Sequence, residues 1–105
     1  MSPEPGAVYR VDLGITGKVR FFVVVSRRDD DPPRALALCV PITTQNRGSE
    51  YEVELPRVRF LREQSYANVQ GIQAIQFHEL QGPVGRFTAP TMEAIRDALR
   101  YAMDL

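Results

Sequence analysis

The chain of 105 residues has no tryptophan, one cysteine (Cys39), one histidine (His78) and one lysine (Lys18). Each scarcity excludes something. A lone thiol forms no internal disulfide, and its place in an apolar run marks Cys39 as a buried packing residue rather than a nucleophile. One histidine, with no cysteine or carboxylate at ligand spacing, offers no metal cluster. No apolar run reaches the roughly eighteen residues of a membrane helix, and the N-terminal MSPEPGAVYR lacks the basic head and apolar stretch of a signal peptide, so a cytoplasmic protein is expected, with no membrane partner. There is no phosphate-binding Walker loop, nucleophile elbow, dinucleotide fingerprint, internal repeat or low-complexity tract. Formal charge is also absent in sum, since thirteen Lys+Arg balance thirteen Asp+Glu. That balance argues against long phosphate tracks and leaves room for a local patch. Because every basic residue but Lys18 is Arg, such a patch is suited to forked contacts with phosphate or carboxylate.

What remains is a small single domain over residues 1–105, in which residues 1–5, with two prolines, read as a loose lead-in. The patterning is mostly that of strands. Alternation over residues 7–13 predicts a first strand, and residues 14–18 a short two-glycine connection. VRFFVVVS at 19–26 is dense in aromatic and β-branched side chains and predicts a second strand. RRDDDPPR at 27–34 must be an exposed loop, because paired prolines and clustered charge suit neither helix nor central strand. ALALCVP at 35–41 reads as a strand buried on both faces and YEVEL at 51–55 as one with a wet face, the two forming a hairpin about the polar turn TTQNRGS. Residues 56–63 predict one irregular turn, 65–76 a long strand bent near Gly71, 77–80 a helical turn and 83–87 a short last strand. The chain closes in a helix with Thr88 as N-cap, Pro90 in its first turn, and Met92, Ile95, Leu99, Ala102 and Met103 repeating at helical spacing as core or dimer packing.

Three blocks, DLGITGKVRFFVVVS, PITTQNRGSEYEVEL and SYANVQGIQAI, stand in an order and spacing that resemble the MazF/PemK/Kid family of toxin endoribonucleases. The likeness runs from Gly6 to the C-terminal helix. It implies a mainly β fold, a small SH3-like barrel of the CcdB/MazF type with a C-terminal α-helix, forming a homodimer. It also implies an endoribonuclease of a type II toxin–antitoxin pair. Such an enzyme cuts single-stranded RNA with sequence preference by attack of the 2'-hydroxyl, without metal or cofactor. An acidic antitoxin holds it silent, and DNA is met only through that antitoxin.

Cleavage of this kind needs the 2'-oxygen aligned on its own phosphorus, donors for the charge on the phosphoryl oxygens, and a proton for the departing 5'-oxygen. Arg20, by pattern alone, is either an ordinary strand-edge Arg or an anion contact beside a glycine-containing loop. The match of GKVRFFVVVS to the family's GxxRPVVVxS block, where this Arg is catalytic, favours the second. Thr43 and Thr44 are, by pattern, a polar strand end of which one residue faces a given side. The family's functional threonine is the first after PI, which is Thr43. The resemblance further implies RNA contacts at Ile15, Thr16, Gly17 and Lys18, which would gate the groove, and at Thr44, Gln45 and Gln70. Two departures from the family pattern stand out. Phe21 replaces the usual proline after the arginine, and Gln70 occupies the position where some members carry a proton-transferring aspartate, which leaves His78 as another proton carrier to weigh. The arginines of 27–34 and 57–62 are either groove-lining or solvated, and Tyr51 and Tyr66 either stack bases or pack. The rival function is a non-cleaving binding protein of the same fold, a degenerate toxin or a CcdB-like gyrase poison; the absence of the C-terminal tryptophan used by gyrase poisons counts against the latter.

Overall fold

The computed structural model describes residues 2–14 and 18–105. Seven strands are arranged in one curled sheet: β1 (Ala7–Asp12), β2 (Val19–Val24), β3 (Leu36–Thr43), β4 (Glu52–Glu54), β5 (Tyr66–Asn68), β6 (Gln73–Gln76) and β7 (Gln81–Arg86). Among the described residues a single α-helix, α1 (Ala89–Met103), follows. The sheet order is β4-β5-β3-β2-β1-β7, with β6 pairing the first half of β3. Among the described residues no helix is long and apolar enough to cross a membrane.

The β-branched and aromatic runs form the central strands because the curled sheet buries both their faces. Val8, Val23, Val40 and Ile42 point towards α1 and meet Met92, Ile95 and Ala98. Tyr9, Val11, Phe22, Val24 and Cys39 point the other way and form a second apolar cluster with Ile75 and Leu80. Within α1, Met92, Ile95 and Ala98 are buried and Leu99 and Ala102 pack partly buried against the core, whereas Met103 at its end is 46% exposed. Thr88 is the N-cap by position, but its side chain makes no capping hydrogen bond.

Four expectations are corrected. The strands of 35–55 do not form a hairpin. β5 lies between them, antiparallel to both, so β3 and β4 run parallel to each other. The connecting residues 44–51 are too many for a tight antiparallel turn and instead arch over the end of β5. Second, the predicted long strand of 65–76 is broken into β5 and β6 by a 3-10 turn at Val69–Gly71. Opposite this turn stands Pro41, which has no N–H to continue the ladder. The register against β3 slips by three residues between Cys39↔Gln73 and Ile42↔Ala67. Only glycine fits at 71, because a Cβ there would lie 2.6 Å from Pro41 Cγ.

Third, β3 is not buried throughout: Leu36 and Leu38 are 39% and 47% exposed. They share the face of Val40, and Leu38 borders an open depression against the C-terminal half of α1. Last, residues 2–5 are pinned rather than loose. Pro3 is buried, Ser2 Oγ and Asp29 exchange two backbone–side-chain hydrogen bonds, and the Glu4 carboxylate pairs with Arg28 at 3.1 Å and Arg86 at 3.3 Å.

Candidate RNA-cleavage site

The ends of β2 and β3 carry the site. Antiparallel pairing aligns Phe22 with Pro41, and the same register continued by two residues sets Arg20 opposite Thr43. Period-two alternation then turns both side chains to the same face. Both line a cavity of about 460 Å³. Arg20 is half-buried at its strand end, and its place opposite Val11 of β1 keeps it in the sheet. Two residues separated by more than twenty positions in the chain therefore meet through strand register alone.

The Thr43 hydroxyl oxygen accepts a hydrogen bond from the Gln45 backbone N–H at 3.1 Å. That contact holds the oxygen and leaves the hydroxyl proton free to be donated. Beyond Thr43, residues 45–49 fold into a network centred on Glu52. Its carboxylate accepts from Ser49 Oγ at 2.7 Å and from the backbone N–H groups of Arg47 and Ser49, each at 3.0 Å. The Ser49 hydroxyl, followed by these two N–H groups, holds the Glu52 carboxyl below the usual carboxylate range. Glu52 is thus an anchor for the loop and, being ionised, no proton donor near neutral pH. Gly48 completes the arch with φ +69°.

The opposite wall comes from the 3-10 turn. Asn68 caps it by accepting from the Gln70 N–H at 3.1 Å, which exposes the Gln70 amide at the cavity. Tyr51 forms part of the wall as well, its ring packed edge-on against Tyr101 of α1 at a centroid distance of 5.3 Å. A second cavity of about 400 Å³ continues from Arg20 and Thr43 past Lys18, Thr44 and Gln45. A third, of about 570 Å³, shares Thr43 and Thr44 and reaches Arg59 and Arg62. Together they make one groove around the ends of β2 and β3. Five cations line it, Lys18, Arg20, Arg47, Arg59 and Arg62, against the carboxylates of Glu52 and Glu63. In a chain of zero formal charge this is a local excess, and it draws anions.

Of the residues anticipated from sequence, Arg20, Thr43, Lys18, Thr44, Gln45 and Gln70 are brought together. Ile15, Thr16 and Gly17 lie outside the described residues. His78 does not join them. It bonds the Gln76 side chain and lines a separate depression with Arg34 and Leu36. That is the other end of β3 from Thr43, roughly 23 Å away at strand rise. Arg27 to Arg34 are likewise remote, with Arg28 tied to Glu4 and Asp30. Tyr66 pairs in the sheet opposite Thr43 and Glu54 and does not line the cavity. Arg47, Ser49, Glu52 and Asn68 were missed. The Ser49-x-x-Glu52 pattern, in which a carboxylate reaches back to the serine N–H, was the available signal for two of them. Among the described residues no group of three or more His, Cys, Asp or Glu side chains is placed to hold a metal.

Fold and groove together define a small SH3-like barrel with a cation-lined cleft at the ends of two central strands. Residues 4–103 match the family model of PemK-like, MazF-like toxins of type II toxin–antitoxin systems, and the chain belongs to that family. It is 30% identical to an endoribonuclease solved in complex with its cognate antitoxin from a mycobacterial species, covering 98% of this chain and 96% of that one with a TM-score of 0.85. Another mycobacterial endoribonuclease is 28% identical over 100% of this chain and 94% of its own, with a TM-score of 0.83. The Mycobacterium tuberculosis toxin MazF-mt6 is 26% identical over 94% and 97%, with a TM-score of 0.81. No curated protein matches the sequence.

Proposed function

We propose that this toxin is an endoribonuclease that cuts single-stranded RNA in the cytoplasm, without metal, by attack of a 2'-hydroxyl on the adjacent phosphorus. The observation that carries the reading is the cross-strand apposition of Arg20 and Thr43 in a cation-lined groove. The scissile phosphate sits between them. The Arg20 guanidinium donates two N–H bonds to the equatorial oxygens, where negative charge grows as the phosphorane forms. The Thr43 hydroxyl, its oxygen already held by Gln45 N–H, hydrogen-bonds a phosphoryl oxygen or the departing 5'-oxygen, while the 2'-hydroxyl gives its proton to water and the 5'-oxygen takes one from water. The products are a 2',3'-cyclic phosphate, or the 3'-phosphate after its hydrolysis, and a 5'-hydroxyl. Lys18, Thr44, Gln45 and Gln70 hold the flanking nucleotides.

The same groove accepts an acidic, partly disordered antitoxin segment, whose carboxylates compete with RNA for the arginines. A mycobacterial relative solved with its cognate antitoxin supports this partner. DNA is contacted only through the antitoxin. Two copies of the chain pair through Leu38, Met103 and Leu105, which are exposed together around a shallow apolar depression of about 250 Å³.

Incubation of the purified protein with mixed-sequence RNA, with and without EDTA, tests the reading. Cutting survives chelation and is lost in both Arg20→Ala and Thr43→Ala. Intact RNA with the wild-type protein, or full cutting by either variant, overturns it.

A further inference from the structure

The loop between β4 and β5, residues 55–65, contains no regular element yet is densely tied down. Val58, Phe60 and Leu61 turn inward, Leu61 being only 7% exposed, while Arg57, Arg59 and Arg62 face solvent. Phe60 is the anchor. Its ring meets Phe21 edge-on at 6.3 Å and Phe87 at 5.8 Å. It also lies directly over Gly85, where a Cβ would come within 2.3 Å of the ring. Hydrogen bonds fix the backbone around it: Leu61 N–H to Val58 O at 3.0 Å, Arg57 Nη2 to Arg62 O at 3.2 Å, and Gln64 Nε2 to Leu55 O at 2.8 Å. Phe21, the residue that departs from the proline of the family block, is thus one wall of the socket that holds this loop.

The socket presents Arg59 and Arg62 to the third cavity, which they share with Thr43 and Thr44. Among the described residues the ion pairs involve Arg28, Arg86, Arg96 and Arg100, and neither Arg59 nor Arg62. Two guanidinium groups on a braced loop, sharing the cavity with Thr43, Thr44 and the single carboxylate of Glu63, form a recess suited to an oxyanion with several acceptors.

Resting on the nuclease reading above, we propose that Arg59 and Arg62 form a second phosphate subsite. It takes a flanking phosphodiester of the same RNA strand as that strand passes from Arg20 around the ends of β2 and β3. Base identity is not read there, because guanidinium–phosphate contacts position the strand without distinguishing sequence. The subsite therefore adds affinity and register on one side of the cut, and its effect falls on binding of RNA long enough to reach it.

The test uses a mixed-sequence octanucleotide made uncleavable by 2'-O-methylation, bound to the full chain at a series of salt concentrations. For the Arg59→Gln/Arg62→Gln variant, the slope of log affinity against log salt becomes shallower by about 0.7, the value for the one phosphate that the pair neutralises on a single strand. Arg27→Gln/Arg34→Gln, which removes equal charge from a loop remote from the groove, leaves the slope at the wild-type value. With cleavable RNA, KM rises while kcat at saturation is unchanged. An unchanged slope, or equal losses in the two double variants, overturns the subsite. So does a loss confined to binding of an acidic peptide, which would assign the arginines to a protein partner. A wild-type protein that binds with the steep slope but leaves RNA intact refutes the nuclease reading and not the subsite, so the two failures are separable.

Discussion

Replacement of Thr43 by valine separates the chemistry of the site from its architecture. Valine keeps the branched shape at the end of β3 and removes the hydroxyl. Two things are lost: the acceptor for Gln45 N–H, at 3.1 Å, and the proton offered to the phosphate. The first loss is small. Gln45 is exposed, so its N–H turns to water, and the cost to stability is about 0.5–1 kcal/mol, as for an ordinary surface hydrogen bond. The second is large, since a donor aimed at developing oxyanion charge contributes about 3 kcal/mol, on the order of a hundredfold in rate. Serine restores both groups and should recover activity to within a few-fold. Single-turnover cleavage of a quenched fluorescent RNA, read beside thermal melting, measures the two effects independently. A valine variant cutting within about threefold of wild type would refute the role given to the hydroxyl, whatever its melting temperature.

Three further outcomes are expected. Gly71→Ala presses a methyl against the rigid Pro41 ring, 2.6 Å from Cγ. It should cost about 1–3 kcal/mol of unfolding free energy by denaturant titration, as other overpacked sites do. Glu52 is held below the ordinary carboxylate range by Ser49 and two backbone N–H groups. Its contribution is complete above the unfolded value of about 4.3 and disappears as pH falls through the lower folded value. Acidification should therefore release the Arg47 and Ser49 amides, seen as chemical-shift changes that Glu52→Gln abolishes. Burial pushes the Cys39 thiol up to about 12. A thiol reagent at pH 8 should react no faster than the native protein unfolds, and rapid labelling would contradict the burial.

The strands were legible where side chains speak for themselves. Phe22–Val24 is apolar because both faces are covered there, and the alternation at the end of Ala7–Asp12 follows its pleat, with Val11 buried between the exposed Arg10 and Asp12. What could not be read was which strand lies beside which. Nothing local in YEVEL reveals that β5, more than ten residues later, inserts between it and β3. The exposure of Leu36 and Leu38 was hidden for the same reason: composition reports that a residue is apolar, not what covers it. In the site, Arg20 and Thr43 were recoverable through the resemblance to the family blocks, since pattern alone left both open, and the β2–β3 register is what sets them side by side. Arg47 and Asn68 were not, since their places depend on how a loop and a capped turn arch over the strand ends.

The imino acid in β3 has an effect beyond its own position. By declining to bond across the sheet, Pro41 obliges the neighbouring segment to step out and return, and the detour forms the shelf on which Gln70 sits. This shelf is separate from the two strands that carry Arg20 and Thr43. On the proposed function, an exchange at position 70 reshapes one wall of the groove while Arg20 and Thr43 stay where they are.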